Sequence, residues 1–236
     1  MRTTALLILS AAALCAQPPI PRYEVKRAAS PVVIDGQINE KAWEGAAPAV
    51  ELRGLWEQQT GPKQKTLARL LWDDENLYVS YDVEDIDITA QFLERDDPTY
   101  RDDAVEIFIN PRPSQTGLYF GLEMNARAVL YDYVMYDSRN LVKRYNMEGV
   151  KVAVFLRGTL NVRGDKDEGW SLEVAIPWVN FEGLGQRPTA GTVWKANLNR
   201  WDGVEPNRRM SIWSDPVQPR PAPHVPARFG ELVFVQ

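Results

Sequence analysis

The 236-residue chain has one cysteine and one histidine. A lone cysteine excludes an internal disulfide and any zinc site built on several thiolates. A lone histidine excludes multi-histidine metal centres and leaves His224 as the sole base for a Ser-His-Asp relay. No G-x-S-x-G stretch supplies a nucleophile for such a relay. There is no P-loop, and Gly183-Leu184-Gly185 lacks the third glycine of a dinucleotide site. Cationic excess is missing too: 27 Lys and Arg face 32 Asp and Glu, a net charge of -5. That is the wrong sign for a nucleic-acid binder, whose affinity rests on cationic contacts to phosphate. Beyond the first 16 residues no run is apolar enough to span a bilayer.

Residues 1–16 read as a secretory signal peptide. Arg2 gives a charged start, Ala5 to Leu14 is apolar or small apart from Ser10, and cleavage is expected near Ala16. Leu14 before Cys15 speaks against lipidation, because that position wants a small residue. Cleavage would remove the only cysteine and direct residues 17–236 to a secreted or periplasmic location.

The remainder alternates with period two. Leu77, Val79, Tyr81 and Val83 are apolar, while the residues between them are mostly polar, the signature of a half-buried strand. Thr66 to Trp72 precedes it across the turn-forming Asp73-Asp74-Glu75-Asn76, so a hairpin is expected. Further strands are expected over Ala104 to Asn110, Leu118 to Tyr136 (two strands), Val150 to Leu156, Thr159 to Val162, Trp170 to Ile176, Val193 to Arg200, Met210 to Trp213 and Gly230 to Val235. Helical periodicity is confined to Asn39 to Gly45 and a turn at Trp178 to Phe181. About ten strands joined by short turns predict an all-β chain, a single antiparallel β-sandwich of jelly-roll or immunoglobulin-like type. Proline-rich Pro216 to Pro226 reads as an ordered loop inside this domain, because the strand after it needs partners.

Five segments then carry a resemblance. Pro31-Val32-Val33-Ile34-Asp35-Gly36 with Asn39-Glu40 and Ala42-Trp43 is similar to the opening of the family 9 carbohydrate-binding modules. Leu71-Trp72-Asp73-Asp74-Glu75-Asn76-Leu77-Tyr78-Val79 resembles their hairpin, and Asp103-Ala104-Val105-Glu106-Ile107-Phe108-Ile109-Asn110-Pro111 their central strand. Gly169-Trp170, Glu173 and Ala175-Ile176-Pro177-Trp178 form the fourth match, and Phe229-Gly230-Glu231-Leu232 the closing one. The order holds over nearly the whole chain after residue 16. The resemblance implies a β-sandwich that binds a saccharide or polysaccharide without catalysis, in a family where calcium occurs and where many modules sit beside an enzyme.

The candidate residues follow from strand geometry together with that resemblance. Glu106, Phe108 and Asn110 leave one face of their strand, and Glu123, Asn125 and Arg127 leave one face of another. If the two strands pair, carboxylates, an amide and a guanidinium share a face. Neighbouring sugar hydroxyls need such donors and acceptors, with an aromatic plate for the apolar ring face. The resemblance assigns sugar binding to Glu106 and stacking to Tyr100. Asn197 extends the polar set from a third strand, along with Lys195 and Asn199. His224 occupies the last loop, where the family places a second stacking ring. The ligand-binding set is therefore Tyr100, Glu106, Glu123, Asn125, Arg127, Asn197 and His224, with no catalytic residue. A solvated sheet face with ordinary ion pairs fits the same residues, and the sequence leaves both readings open. Trp43, Trp72, Trp170 and Trp178 suit core packing better than ligand contact. Asp73 to Asn76 suits a turn better than a calcium loop. Two further readings stand beside this one: an accessory to glycan hydrolysis, and a haem-binding sandwich of DOMON type with His224, Met124, Met135 or Met210 as axial ligands.

Overall fold

A computed structural model describes residues 17–236 apart from 57, 60, 62, 138–139, 144, 186 and 204–207. The expected signal peptide lies outside the described residues. Thirteen strands run in the order β1 (Arg22–Arg27), β2 (Val50–Glu51), β3 (Thr66–Trp72), β4 (Asn76–Glu84), β5 (Ala104–Asn110), β6 (Tyr119–Asn125), β7 (Leu130–Tyr136), β8 (Asn140–Val142), β9 (Lys151–Arg157), β10 (Gly169–Pro177), β11 (Val193–Asp202), β12 (Arg209–Ile212) and β13 (Gly230–Val235). The only α-helix among the described residues is α1 (Lys41–Glu44), inside the expected Asn39 to Gly45. Trp178–Phe181 forms the expected short turn, as a 3-10 helix. No helix among the described residues is long and apolar enough to cross a membrane.

Hydrogen bonding links the strands in the order β8-β7-β6-β5-β11-β13-β1-β3-β4-β10-β9, with β12 beside β11 and β2 beside β3. This sheet closes on itself, because one core holds residues from both of its halves. Val105, Ile107 and Ile109 of β5 and Phe120 and Leu122 of β6 share a cluster with Leu70 of β3, Val79 and Tyr81 of β4, and Leu172 and Val174 of β10. Period-two alternation therefore supplies the inner faces of a sandwich. Trp72, Trp170, Trp178 and Trp194 fill this interior, the first, second and third as expected from sequence.

The pairing is antiparallel except at β1, which runs parallel to both β13 and β3. That strand was missed in the sequence because RYEVKR carries charges at both ends and buries only Tyr23 and Val25 fully. Strands β2 and β8 are two and three residues long, too short to show a period. The expected strand at Thr159 to Val162 is a turn instead. Its backbone bonds go to side chains and loops: Thr159 N–H donates to Asp167, and Asn161 N–H donates to the Ile88 carbonyl.

The two outer faces are covered differently. On β4 and β10 the segment from Ala28 to Ala47, including α1, packs Trp43 onto Leu71, Tyr78 and Ala175. On β5, β6, β7 and β11 the cover is partial. The expected loop Pro216 to Pro226 runs there, held at one end by Trp56 Nε1 donating to the Gln218 carbonyl (3.0 Å) and at the other by Arg228 donating to the Asp215 carbonyl (3.0 Å).

Candidate functional site

Register decides which polar residues meet. Glu106 of β5 lies directly opposite Glu123 of β6 and, on its other side, Asn199 of β11. Glu123 in turn faces Tyr131 of β7. A single row thus crosses four strands: Asn199, Glu106, Glu123, Tyr131. The next row holds Asn197, Phe108, Gly121 and Tyr133. All eight are buried, and Glu106 and Glu123 are 1% and 3% exposed. Gly121 is required where it stands. A Cβ there would lie 2.2 Å from the Tyr133 ring, so its absence lets that ring cross β6 and donate its O–H to Glu123 Oε1 (2.8 Å).

Two carboxylates set side by side in a buried row repel and lose hydration. Burial pushes Glu106 up to about 7, opposed by the Arg208 charge and by hydrogen bonds from Trp201 and Asn199. Burial and then the Glu106 charge raise Glu123 well above the carboxylate range, opposed by the Tyr133 hydrogen bond and by Arg208. The Arg208 guanidinium lies 4.0 Å above the Trp201 ring, a cation–π arrangement at the edge of the row. Asn199 Nδ2 donates to Glu106 Oε2 (3.1 Å).

Two buried atoms in this row have no hydrogen-bond partner: Glu123 Oε2 and Asn199 Oδ1. A buried polar atom without a partner costs about 1–3 kcal/mol, so such atoms mark a place where a partner is expected to arrive.

Aromatic rings border the row. His224 stacks on Phe108 at 4.8 Å between centroids and an interplanar angle of 14°. Its Nδ1 is 2.8 Å from Tyr119 Oη. Burial lowers its pKa to about 4, so near pH 7 the ring is neutral, and its tautomer sets which of Nδ1 and the Tyr119 hydroxyl donates. The other side of the imidazole remains exposed. Tyr100 is half-buried beside Tyr131, with centroids 6.1 Å apart.

The structure separates the remaining sequence candidates from this row. Asn125 ends β6, where its Oδ1 accepts from Arg127 and Val129 N–H and its Nδ2 donates to Asp102 and the Phe92 carbonyl. Those bonds hold the β6–β7 turn. Arg127 Nε donates to the Ala90 carbonyl. Asn197 donates to the Ser214 carbonyl and accepts from Ser214 N–H, which pins the start of the last loop. Sequence reasoning left Tyr119, Tyr133 and Arg208 outside the site and did not commit to Asn199 or Trp201. The isolated Gly121 in an otherwise bulky strand was the signal that a neighbouring ring crosses it.

Acidic clusters elsewhere are poor cation sites. Asp85, Asp103 and Asp202 bring carboxylate oxygens within 4.8 Å of one another. Their oxygens already accept N–H bonds: Asp85 and Asp202 from Arg200, Asp202 from Gln64 and Arg209, and Asp103 from Thr89 and Gly203. Asp35, Glu40 and Glu173 form a second cluster. Glu173 is saturated there by Trp43 Nε1 and the N–H groups of Asp35 and Gly36. In the Asp73 to Asn76 turn, Asp73 accepts from Glu75 and Asn76 N–H and from Tyr78 O–H. Calcium needs six to eight oxygen ligands, and none of these three groups has that many to give.

A cavity of about 820 Å³ opens at the β2 and β12 end of the sandwich, lined among others by Trp56, Lys65, Arg200, Asp202 and Arg209. Its deep charges neutralise one another, Arg200 and Arg209 pairing with Asp202 at 3.1 and 2.6 Å. Size alone does not make it the chemical site.

Comparison with known proteins bears on the fold and the family. The family model "Carbohydrate family 9 binding domain-like" matches residues 34–236. Endo-1,4-beta-xylanase A of Thermotoga neapolitana is 28% identical over 86% of this chain, and exoglucanase XynX of Acetivibrio thermocellus 28% over 63%. The chain spans under a fifth of the length of these curated relatives, 17% and 12%. A Bacteroides uniformis protein thought to bind carbohydrate shares the fold with TM-score 0.75 and 18% identity, covering 92% of this chain and all of the other. A family 9 module of Caldicellulosiruptor kristjanssonii, solved with cellotriose, superposes with TM-score 0.62 at 18% identity, covering 91% of this chain and 93% of that one.

Proposed function

This chain belongs to the carbohydrate family 9 binding domain-like family, and from that premise we propose that it binds a saccharide end on the outer face of β5, β6 and β11. It is a carbohydrate-binding module by family; the location and the ligand are our reading. The observation that carries it is the pair of partnerless buried acceptors, Glu123 Oε2 and Asn199 Oδ1, in the row of strand neighbours that includes Glu106, on the face where His224 stacks on Phe108. Sugar hydroxyls donate to such acceptors, and a sugar ring's C–H face lies on an aromatic plate. A hydrogen bond to a charged group contributes about 1.5–3 kcal/mol, so two or three of them set specificity. A shallow face buries little area, which keeps affinity on the order of micromolar to millimolar.

Glu106 is the central contact in this reading, with Glu123 and Asn199 beside it and His224 and Tyr100 as rings. Asn125, Arg127 and Asn197 act one step back, holding the turn and loop that shape the face. Work beside a glycan-degrading enzyme fits the length of the xylanase relatives, of which this chain matches only a part. Export through the residue 1–16 leader belongs to the same proposal, and N-terminal sequencing of the protein recovered outside the cytoplasm tests it. The proposal places no calcium in the acidic clusters of the described residues, whose oxygens already accept N–H bonds.

A haem between the sheets is disfavoured by the interior itself. Met124 and the tryptophans fill that space, and His224 contacts Phe108 on the opposite face of β5. Titration with cellotriose tests the main reading. Glu106→Ala should weaken binding about tenfold or more. Unchanged affinity in that variant would move the site elsewhere.

A further inference from the structure

The sandwich is loosely closed at one end. Strand β2 pairs only with Leu67 and Ala68 of β3, and β12 only with Asn199 to Asp202 of β11. An isolated bridge, Arg53 with Ile212, joins the two sides. The cavity of about 820 Å³ opens there. It lies across β11 from the saccharide face. Asn199 and Trp201 leave that strand toward Glu106, so Arg200 and Asp202 leave it the opposite way.

Charge is layered in this cavity. In the inner layer Asp202 accepts from Arg200 (3.1 Å), Arg209 (2.6 Å) and Gln64 (2.8 Å), and Asp85 accepts from Arg200 (3.0 Å). Burial and then the charges of Asp85 and Asp202 push the adjoining Asp103 up to about 7. Arg200 is 1% exposed. Its Nη atoms are bonded, yet its Nε has no partner, so a buried donor in the lining is unmet. The mouth carries Arg53, Lys63 and Lys65, all exposed. Glu51 lies 3.8 Å from Lys65, and Glu84 accepts the Lys65 N–H. Among the described residues no ion pair or hydrogen bond takes up the Arg53 or Lys63 side chain. The inner layer is thus compensated, and the mouth keeps two cations to spare.

We propose that this cavity binds uronates, saccharides that carry a carboxylate at carbon 6, at a site separate from the face of β5, β6 and β11. Arg53 and Lys63 meet the carboxylates, and a sugar oxygen supplies the acceptor that Arg200 Nε lacks. The walls decide between classes of anion. They carry Leu52, Leu55 and Met210 beside the amides of Gln59 and Gln64, and an inorganic anion would leave them uncovered. A nucleotide needs a ring face for its base. Trp56 offers little of one, because it is 6% exposed and its indole is bonded to the Gln218 carbonyl. A uronate brings charge for the mouth together with hydroxyls and C–H faces for the mixed wall.

The experiment is calorimetric titration of the full chain at about 150 mM salt. The probes are cellotriose and its C6-oxidised form, the trimer of β-1,4-linked glucuronate. The oxidised trimer should bind, and Arg53→Ala combined with Lys63→Ala should weaken it about tenfold or more while cellotriose affinity stays within about twofold. Both side chains are exposed and hold nothing in place, so this variant should fold. Lys41→Ala combined with Lys151→Ala removes the same charge from exposed positions in α1 and β9, and should change trimer affinity by about twofold or less. Glu106→Ala should spare the trimer too. No binding of the oxidised trimer overturns the inference. Equal losses in the two double variants overturn it in favour of general attraction. A loss in Glu106→Ala that the Arg53 and Lys63 variant does not share moves the trimer to the other face and overturns it as well. Sodium sulfate that binds as tightly as the trimer, and is lost in the same variant, reduces the cavity to an anion site and overturns the uronate. If cellotriose does not bind while the trimer behaves as expected, the inference stands and the reading of the β5, β6 and β11 face falls.

Discussion

The two outer faces of the sandwich carry the same device with opposite endings. Each buries a glutamate in the middle of a strand and aims a tryptophan indole at it: Trp43 at Glu173 on β10, and Trp201 at Glu106 on β5. Burial pushes both carboxyls up to about 7. On β10 the chain then finishes the work. Trp43 Nε1 at 2.7 Å and the N–H groups of Asp35 (3.3 Å) and Gly36 (3.0 Å) take both oxygens of Glu173. On β5 and β6 the last loop lays His224 on Phe108 and Arg208 reaches the carboxylates, yet Glu123 Oε2 and Asn199 Oδ1 are left without a hydrogen-bond partner. A satisfied buried carboxylate fastens a lid, whereas an unsatisfied one leaves a vacancy for a ligand.

The contrast can be broken at its strongest point. Trp43→Ala should cost about 3–5 kcal/mol of unfolding free energy, because it removes a packed indole and leaves Glu173 short of a donor. Denaturant unfolding measures this, and saccharide affinity measured below the transition should hardly change. A large affinity loss without a stability loss would reverse the assignment of the two faces.

Acidity sharpens the contrast next. Burial raises the Glu173 carboxyl from its ordinary 4.5 to about 7, so the folded chain holds an extra proton between those values. The sign follows: stability is greatest below the unfolded value and declines as pH rises through the folded one. Glu173→Gln should flatten part of that decline between about pH 4.5 and 7 without altering saccharide binding. Thermal melts across the window would show an unchanged slope if the carboxyl were not the group involved.

The smallest effect is expected at the ring on the open face. His224→Ala should weaken saccharide binding several-fold, worth about 0.5–1.5 kcal/mol, because one exposed plate is lost. Its melting temperature should shift little, since much of the imidazole surface is already exposed. A melt that fell as far as that of Trp43→Ala would mean the ring is a structural plug rather than a platform.

Much of this arrangement was legible before any coordinates. Period two at Leu77 to Val83 and Val105 to Ile109 announced strands, and these are β4 and β5, although covering segments bury β5 on both faces and most of β4 as well. The face shared by Glu106 and Glu123 followed from alternation once the strands were assumed to pair, and the observed register places them directly opposite. Asn125 and Asn197 show the limit. Both leave their strands on the polar side, yet one closes a turn and the other anchors a loop. Alternation reports a side chain's direction but not what waits there.

The sequence by itself determined the sandwich, its hydrophobic interior and the polar faces, because these are local consequences of a two-residue repeat repeated in strand after strand. Tertiary structure decided which polar face is sealed and which is open. That choice depends on contacts between residues more than a hundred positions apart, such as Trp43 with Glu173 and Tyr119 with His224. No pattern within one strand encodes a donor that arrives from another part of the chain. The one cysteine and one histidine show the same division. Their scarcity excluded thiol and multi-histidine chemistry at once, but only the fold laid the His224 ring on Phe108 at the rim of the open face.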